Sequence, residues 1–304
     1  MRRLILIALL GSVAQLVDGT LGMAYGVTAS TALLITGITP AVASASVHLA
    51  EVGTTLASGV AHWRFGNVDW RVVALIGIPG GIGAFAGATF LSSLSTESAG
   101  VWVAALLLLL GVYIVARFAT GKVRAVMEGR PAGKFLGPLG LAAGFIDATG
   151  GGGWGPVATS SLLSSGKLEP RRTVGSVSAA EFIVSIAASI GFLFGLGKEN
   201  LPLGIVGALL VGGVLAAPVA AWLVSRLATR WLGVGVGLVL ILTNARTLLK
   251  GIGVAEGPRY LVYGALVLGW AAVVAHSVRT TGRRADARVE REREHEHERE
   301  LETV

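Results

Sequence analysis

Residues 147–156 read DATGGGGWGP, an acid leading into a glycine run that carries one aromatic, set between two apolar segments. A weaker copy, DGTLGMAYGV, occupies residues 18–27. Each copy continues in the same order. Pro40 follows Asp18 by 22 residues and Glu51 follows Pro40 by 11; Pro170 follows Asp147 by 23 and Glu181 follows Pro170 by 11. Residues 1–278 hold ten acids, and only Asp18, Glu51, Asp147 and Glu181 lie inside apolar stretches. An ionisable group is costly in lipid and marks a functional site by default. A duplicated intramembrane acid beside a glycine-rich break is the pattern of a transporter built from repeats.

Composition agrees. The chain has 304 residues, 53% hydrophobic and 14% charged, with a mean hydropathy of +0.72. Soluble domains carry roughly 25% charged residues. Glycine, at 44 residues, is in excess, as expected where helices must approach closely without a hydrophobic driving force. There is no cysteine, which excludes disulfides, thiol catalysis and thiolate metal sites. No G-x-x-x-x-G-K-[ST] or H-E-x-x-H motif is present, so nothing points to an ATPase, a metalloenzyme or a cofactor. The net charge of +7 comes from Lys and Arg between apolar segments, where they read as topology signals rather than a nucleic-acid footprint. The N-terminal MRRLILIALLGSVA imitates a signal peptide, yet residues 11–37 have a counterpart at 140–166, so it reads as part of a repeat.

The apolar segments fall near 4–17, 23–37, 41–62, 72–92, 99–119, 135–148, 152–166, 172–196, 202–226, 230–250 and 258–278. Spanning the hydrocarbon core takes about 20 helical residues. The first, second, sixth and seventh segments are shorter and flank the glycine-rich stretches 19–26 and 150–155. Each pair is expected to form a re-entrant or broken helical hairpin, or two short tilted spans. Broken backbone is tolerated at membrane depth only where protein or water covers it. The fold expected is an all-α polytopic membrane protein. It has two inverted repeats, each a hairpin plus three full spans, and one additional C-terminal helix. The repeats occupy 1–119 and 135–278, the second with the extra helix; 120–134 is a basic linker and 279–304 a charged tail, disordered or a solvated helix. Twelve basic residues, among them Arg64, Arg71, Lys167, Arg171 and Arg172, fall on one side and six on the other. The positive-inside rule makes the first side, and the C-terminus, cytoplasmic. Arg2 and Arg3 oppose this. Five spans per copy is an odd number, so the second copy is inverted.

The candidate site follows from the breaks. A helix N-terminus exposes free N–H groups and the positive end of its dipole, and glycine lets them approach a ligand. Gly22 and Gly26 in the first copy, and Gly150, Gly151, Gly152, Gly153 and Gly155 in the second, form a candidate anion cradle. Close packing at a helix break is the competing reading. Asp18 and Asp147 are placed to cap the returning backbone. Glu51 and Glu181, about ten residues into long apolar segments, suit either proton coupling or anchoring of the breaks. His48, three residues before Glu51, shares its helical face; Ser178 takes its place in the second copy. Ser46 and Ser176, each five residues before its glutamate, are candidate oxyanion contacts. Tyr25 and Trp154 share a repeat position at the tips, where they line the path or simply pack. No basic side chain lies deep in any segment, so an anion would meet N–H and hydroxyl dipoles. No catalytic or metal residue is assigned.

These residues resemble the TauE/SafE sulfite exporter (TSUP) family. The likeness lies in GFIDATGGGGWGP at 144–156, the weaker QLVDGTLGMAYG at 15–26, the P-x₁₀-E spacings and the closing LTNARTLLK at 242–250. It covers nearly everything but the tail. It implies a multi-pass plasma-membrane carrier, an exporter, for a small anion such as sulfite, thiosulfate or an organosulfonate. The expected partners are that anion and the lipid bilayer, with no nucleic acid; a homo-oligomer is compatible with the sequence. Leu21, Met23 and Ala24 stand where the second copy has glycines, so the two tips are expected to divide the work. Anion contact would be weighted to 150–155 and proton handling to His48 and Glu51. An anion channel of the same architecture, and a non-transporting membrane scaffold, are the alternatives.

Overall fold

Pro40 and Pro170, the prolines of the duplicated pattern, each occupy the first turn of a long helix, where the missing N–H costs nothing. The computed structural model describes residues 2–21, 23–120, 131–224 and 229–276. Gly22, the core of the basic linker and the charged tail lie outside the described residues. The described chain is all helical, with no strand. The first half contains α1 (Arg2–Leu21), α2 (Tyr25–Ile35), α3 (Pro40–Arg64), α4 (Trp70–Ser93) and α5 (Thr96–Thr120). The second contains α6 (Gly133–Gly150), a π-helical turn at Gly155–Thr159 that runs into α7 (Ser160–Ser165), α8 (Pro170–Leu196), α9 (Leu203–Val224) and α10 (Thr229–Gly251). A further helix, α11 (Glu256–His276), follows. Five described helices are long and apolar enough to cross a membrane: α4, α5, α8, α11 and residues 232–251 of α10. Helix α3 is as long, but one face carries Ser44, His48 and Glu51.

The hairpins differ from the expected pairs of short pieces. Helices α1 and α6 are 20 and 18 residues long, about 30 and 27 Å at 1.5 Å per residue. Only the return limbs are short: α2 has 11 residues, and the π turn and α7 together cover 155–165. Helix α1 runs on through Asp18 instead of ending before it, and α6 runs two residues beyond its expected end at 148. The carboxylate can stay inside the helix because it is satisfied by the return limb, as described below. Gly151, at φ 69°, then turns the backbone through the left-handed region that ends α6.

Packing pairs the two halves in exchange. Helix α1 packs along α9 and α6 packs along α4, while α3 meets α8 and α5 meets α10. The close contacts use glycine. A Cβ on Gly140 or Gly144 would overlap the carbonyl oxygens of Ile76 or Gly80, and one on Gly11 would lie 2.8 Å from that of Leu209. Gly11 and Gly140 are separated by 129 residues, the interval between Asp18 and Asp147. Backbone-to-backbone approach of this kind is the usual solution where dispersion drives association. Helices of equivalent position run antiparallel: along α5 and α10, Val101 faces Gly251 and Val115 faces Gly237; along α3 and α8, His48 stacks on Phe192 and Gly59 faces Ala179. Helix α11 has no buried face; Trp270 Nε1 donates to Val234 O at 3.0 Å and ties it to α10.

Candidate functional site

The two glycine-rich breaks meet. A Cβ on Gly26 would stand 2.6 Å from Gly152 Cα and 3.2 Å from Glu51 Oε1, and one on Gly155 would stand 3.0 Å from Met23 Cα. Gly152, at φ 149°, would drive a Cβ into the backbone of Gly26 and Val27. These glycines are therefore required by close approach, whereas a Cβ on Gly150 would find only Leu106 at 3.8 Å. The π turn that opens the second return limb places a non-ideal helical segment at the break, as such turns often do at functional positions.

Each aspartate caps its own return limb. Asp18 Oδ1 accepts from Ala24 N–H at 2.8 Å and Tyr25 N–H at 3.2 Å. Asp147 Oδ1 accepts from Trp154 N–H at 2.9 Å. The N–H groups nearest the breaks are thus bonded by the protein's own carboxylates, and a ligand would have to use those that remain. Asp147 Oδ2 is buried and hydrogen-bonds to no described residue.

Glu51 and Glu181 occupy matched sequence positions in unlike surroundings. Glu51 is 4% exposed. Its Oε2 lies 3.0 Å from His48 Nδ1, and His48 Nε2 lies 3.3 Å from Asp147 O. A carbonyl can only accept, so Nε2 carries a hydrogen. The remaining contact then holds one proton, either on Nδ1 facing a carboxylate or on the Glu51 carboxyl facing a bare Nδ1. Both forms leave the pair neutral. Losing that proton would set a lone pair against a carboxylate, so the arrangement favours retention. Glu181, by contrast, makes no hydrogen bond or ion pair with any described residue and faces a cavity.

That cavity has a volume of about 620 Å³ and takes its walls from both halves. Asp18, Tyr25 and Gln15 contribute from the first hairpin, Asp147, Trp154 and Thr159 from the second. Helix α3 adds Thr54, Ser58 and His62; α8 adds Ser178 and Glu181; α9 adds Gly213. The lining is buried at the breaks and becomes exposed at Ala57 and Ala61, toward the C-terminal end of α3. Among the described residues, no Lys or Arg lines it. On the opposite side of the breaks the halves are sewn together. Ser30 Oγ donates to Gly151 O, Ser44 Oγ donates to Ala148 O at 2.6 Å, and Asn244 Nδ2 donates to Thr31 Oγ1 at 3.2 Å.

The remaining candidates divide. Gly153, Gly155, Tyr25 and Trp154 border the cavity. Trp154 is fully buried, wedged against Gly80, with Nε1 donating to Val177 O at 3.1 Å; it packs rather than swings. Tyr25 OH donates to Leu209 O at 3.5 Å. Ser46 and Ser176 stand away from the cavity. Ser46 Oγ donates to Val42 O at 2.7 Å within α3, and Ser176 Oγ accepts from Asp69 N–H at 2.8 Å, fixing the loop before α4. His62 was missed by the sequence reading. It lies at the end of α3 beside Arg64, outside the duplicated pattern. The signal that finds it is its spacing from Thr54 and Ser58, at i, i+4 and i+8 on one helical face.

An all-helical multi-pass bundle, with a cavity held between two broken hairpins of a duplicated chain, defines the class as a membrane transporter. Residues 7–247 match the family model described as "Sulfite exporter TauE/SafE". The chain belongs to that family. It is 48% identical over 287 residues to a Bacillus subtilis (strain 168) protein described as "Probable membrane transporter protein YtnM", covering 93% of this chain and 95% of that one. A second protein of that organism, "Probable membrane transporter protein YdhB", is 25% identical over 142 residues, 46% of this chain and 58% of its own length. No solved structure matches the chain.

Proposed function

We propose that the protein is a secondary carrier of the plasma membrane that exports a small anion, of the class of sulfite, thiosulfate or an organosulfonate, by alternating access coupled to protons. The observation that carries this reading is the cavity of about 620 Å³ that ends at the two breaks and draws its walls from both halves. A site between repeats, beside discontinuous helices, is the plan of many secondary carriers. The antiparallel course of α3 with α8 and of α5 with α10, and the exchange pairing of α1 with α9 and α6 with α4, support two inverted copies. The anion class and export direction rest on the family. The positive-inside rule assigns the open end of the cavity, beside Arg64 and Arg171, and the C-terminus to the cytoplasm. The cavity then opens inward, and the seam of Ser30, Ser44 and Asn244 closes the outer side.

Proton coupling follows from the charges. Asp18, Asp147 and Glu181 line a cavity to which no described Lys or Arg contributes, so an anion is tolerated there only with protons present. Glu181 is the exchanging group; the sealed His48–Glu51 pair anchors the breaks. The substrate contacts Gly153, Gly155, Ser178 and the hydroxyl-bearing face of α3. The close contact of Gly26 with Gly152 argues against a permanently open channel. The test is flux of labelled sulfite, thiosulfate and sulfoacetate in proteoliposomes without nucleotide, with and without a pH gradient. Uptake accelerated by an imposed gradient is expected. No flux of any of the three would overturn the reading.

A further inference from the structure

We infer that His62 is the anion-selecting residue at the entrance of the cavity, and that the species it admits is a small monoanion. The inference rests on the carrier reading above and names the part of the site that chooses the substrate. Three observations carry it. First, among the described residues His62 is the only side chain lining the cavity that is able to bear a positive charge. Second, its Nδ1 is buried and bonds to no described residue, so the ring is uncommitted. Third, Thr54, Ser58 and His62 follow one another at i, i+4 and i+8 on the cavity face of α3. That face is a continuous polar stripe from the exposed end of the helix toward the breaks.

An imidazole donates an N–H in either protonation state and adds a charge when protonated. It is therefore the cavity's best side-chain contact for an oxyanion, with the hydroxyl of Ser58 one turn deeper. The titratable groups that share the cavity with it are Asp18 at the end of α1, Asp147 at the end of α6, Tyr25 on α2 and Glu181 on α8; among the described residues the α9 wall contributes Gly213, Val214 and Ala217 and no titratable group. With those carboxyls protonated, one imidazolium balances a single negative charge on the substrate and leaves none for a second. A monoanion, such as hydrogen sulfite or a sulfonate, fits this lining; the dianions sulfate and thiosulfate do not, which narrows the class proposed above.

The experiment is saturation kinetics of labelled sulfite in proteoliposomes of the full chain, comparing the wild type with His62→Ala and His62→Gln, with methanesulfonate and sulfate as competitors. His62→Ala should raise the half-saturating sulfite concentration at least tenfold while lowering the maximal rate much less. His62→Gln, which keeps a donor, should recover part of the loss. Methanesulfonate should compete at least tenfold better than sulfate. Should His62→Ala fail to fold, the glutamine variant and the competition series make the same decision. A wild-type half-saturation in both variants, or sulfate competing as well as methanesulfonate, would overturn this inference and leave the carrier reading intact. A wild type that moves none of sulfite, thiosulfate and sulfoacetate would overturn both.

Discussion

His48 Nε2 lies 3.3 Å from the carbonyl oxygen of Asp147, so a side chain of the first half is fixed to the backbone at the break of the second. The same ring holds Glu51 at 3.0 Å and stacks on Phe192 of α8 at 6.1 Å between centroids. One imidazole thus joins α3, the α6 break and α8. The approach of Gly26 to Gly152 lies next to that arrangement, since a Cβ on Gly26 would also stand 3.2 Å from Glu51 Oε1.

Removing the ring should therefore cost more than neutralising its partner. His48→Ala leaves Glu51 buried without its partner, a change that typically costs about 3–5 kcal/mol. Glu51→Gln keeps a group of the same shape whose amide can donate to Nδ1. Thermal unfolding of purified protein in detergent should show a large loss for His48→Ala and a small one for Glu51→Gln. Equal losses would mean that the ring's bond to Asp147 contributes nothing.

The glycines of the second break should fall into two groups. Gly152→Ala places a methyl inside the backbone of Gly26 and Val27 and at a φ that L-residues rarely adopt. Gly150→Ala places one in ordinary contact with Leu106, and a helical alanine is favoured over glycine by about 1 kcal/mol. Yield of monodisperse protein by size-exclusion chromatography should collapse for the first and hold for the second. A Gly152→Ala protein as stable as wild type would remove the close-approach account of the break.

The division between these glycines explains what the sequence could and could not convey. Segment lengths, the duplicated acids and the two prolines were legible because lipid imposes length and makes a buried charge conspicuous. The first limb read as short because Asp18 looks like a helix end, and the second because its glycine run does. Only the return limb, brought close in space, shows that its N–H groups satisfy the carboxylate. Ser46 and Ser176 looked like substrate contacts by their register with the glutamates. Ser46 bonds back along its own helix and Ser176 holds a loop, and repeat register alone does not encode either partner. His62 escaped notice because it lies 11 residues past Glu51, outside the duplicated pattern, and its counterpart in the second copy is the apolar Phe192. Its place is visible only once α3 and α8 are set side by side.

Trp154 provides a test of packing at the tip. It is fully buried and its ring fills the space left by Gly80, whose Cβ would stand 2.7 Å from the indole. Trp154→Phe loses the bond to Val177 O, a net change of about 1 kcal/mol, and should remain folded with flux near wild type. Trp154→Ala opens a cavity under α4 and should lose about 3–5 kcal/mol. Chemical denaturation followed by helicity gives the ordering. If Trp154→Phe were stable but carried no flux, the indole would be a substrate contact and not a wedge.

The two glutamates should separate in transport although they occupy equivalent sequence positions. Glu181 faces the cavity with no described partner, whereas Glu51 shares a proton with His48 in a sealed contact. A group that must load and release a proton during each cycle has to reach water in at least one state, and in this state Glu181 alone of the pair borders the cavity. Glu181→Gln fixes that site in a neutral form. Anion exchange without a gradient should survive in this variant, while acceleration by an imposed pH gradient should fall at least tenfold. Glu51→Gln should keep the response to the gradient, because the neutral pair is merely replaced by a neutral hydrogen bond. Both variants can be measured in the same proteoliposomes with labelled sulfite. If the gradient response is lost in Glu51→Gln and kept in Glu181→Gln, the buried pair is the coupling site, and the inward-open cavity must expose it in another state of the cycle.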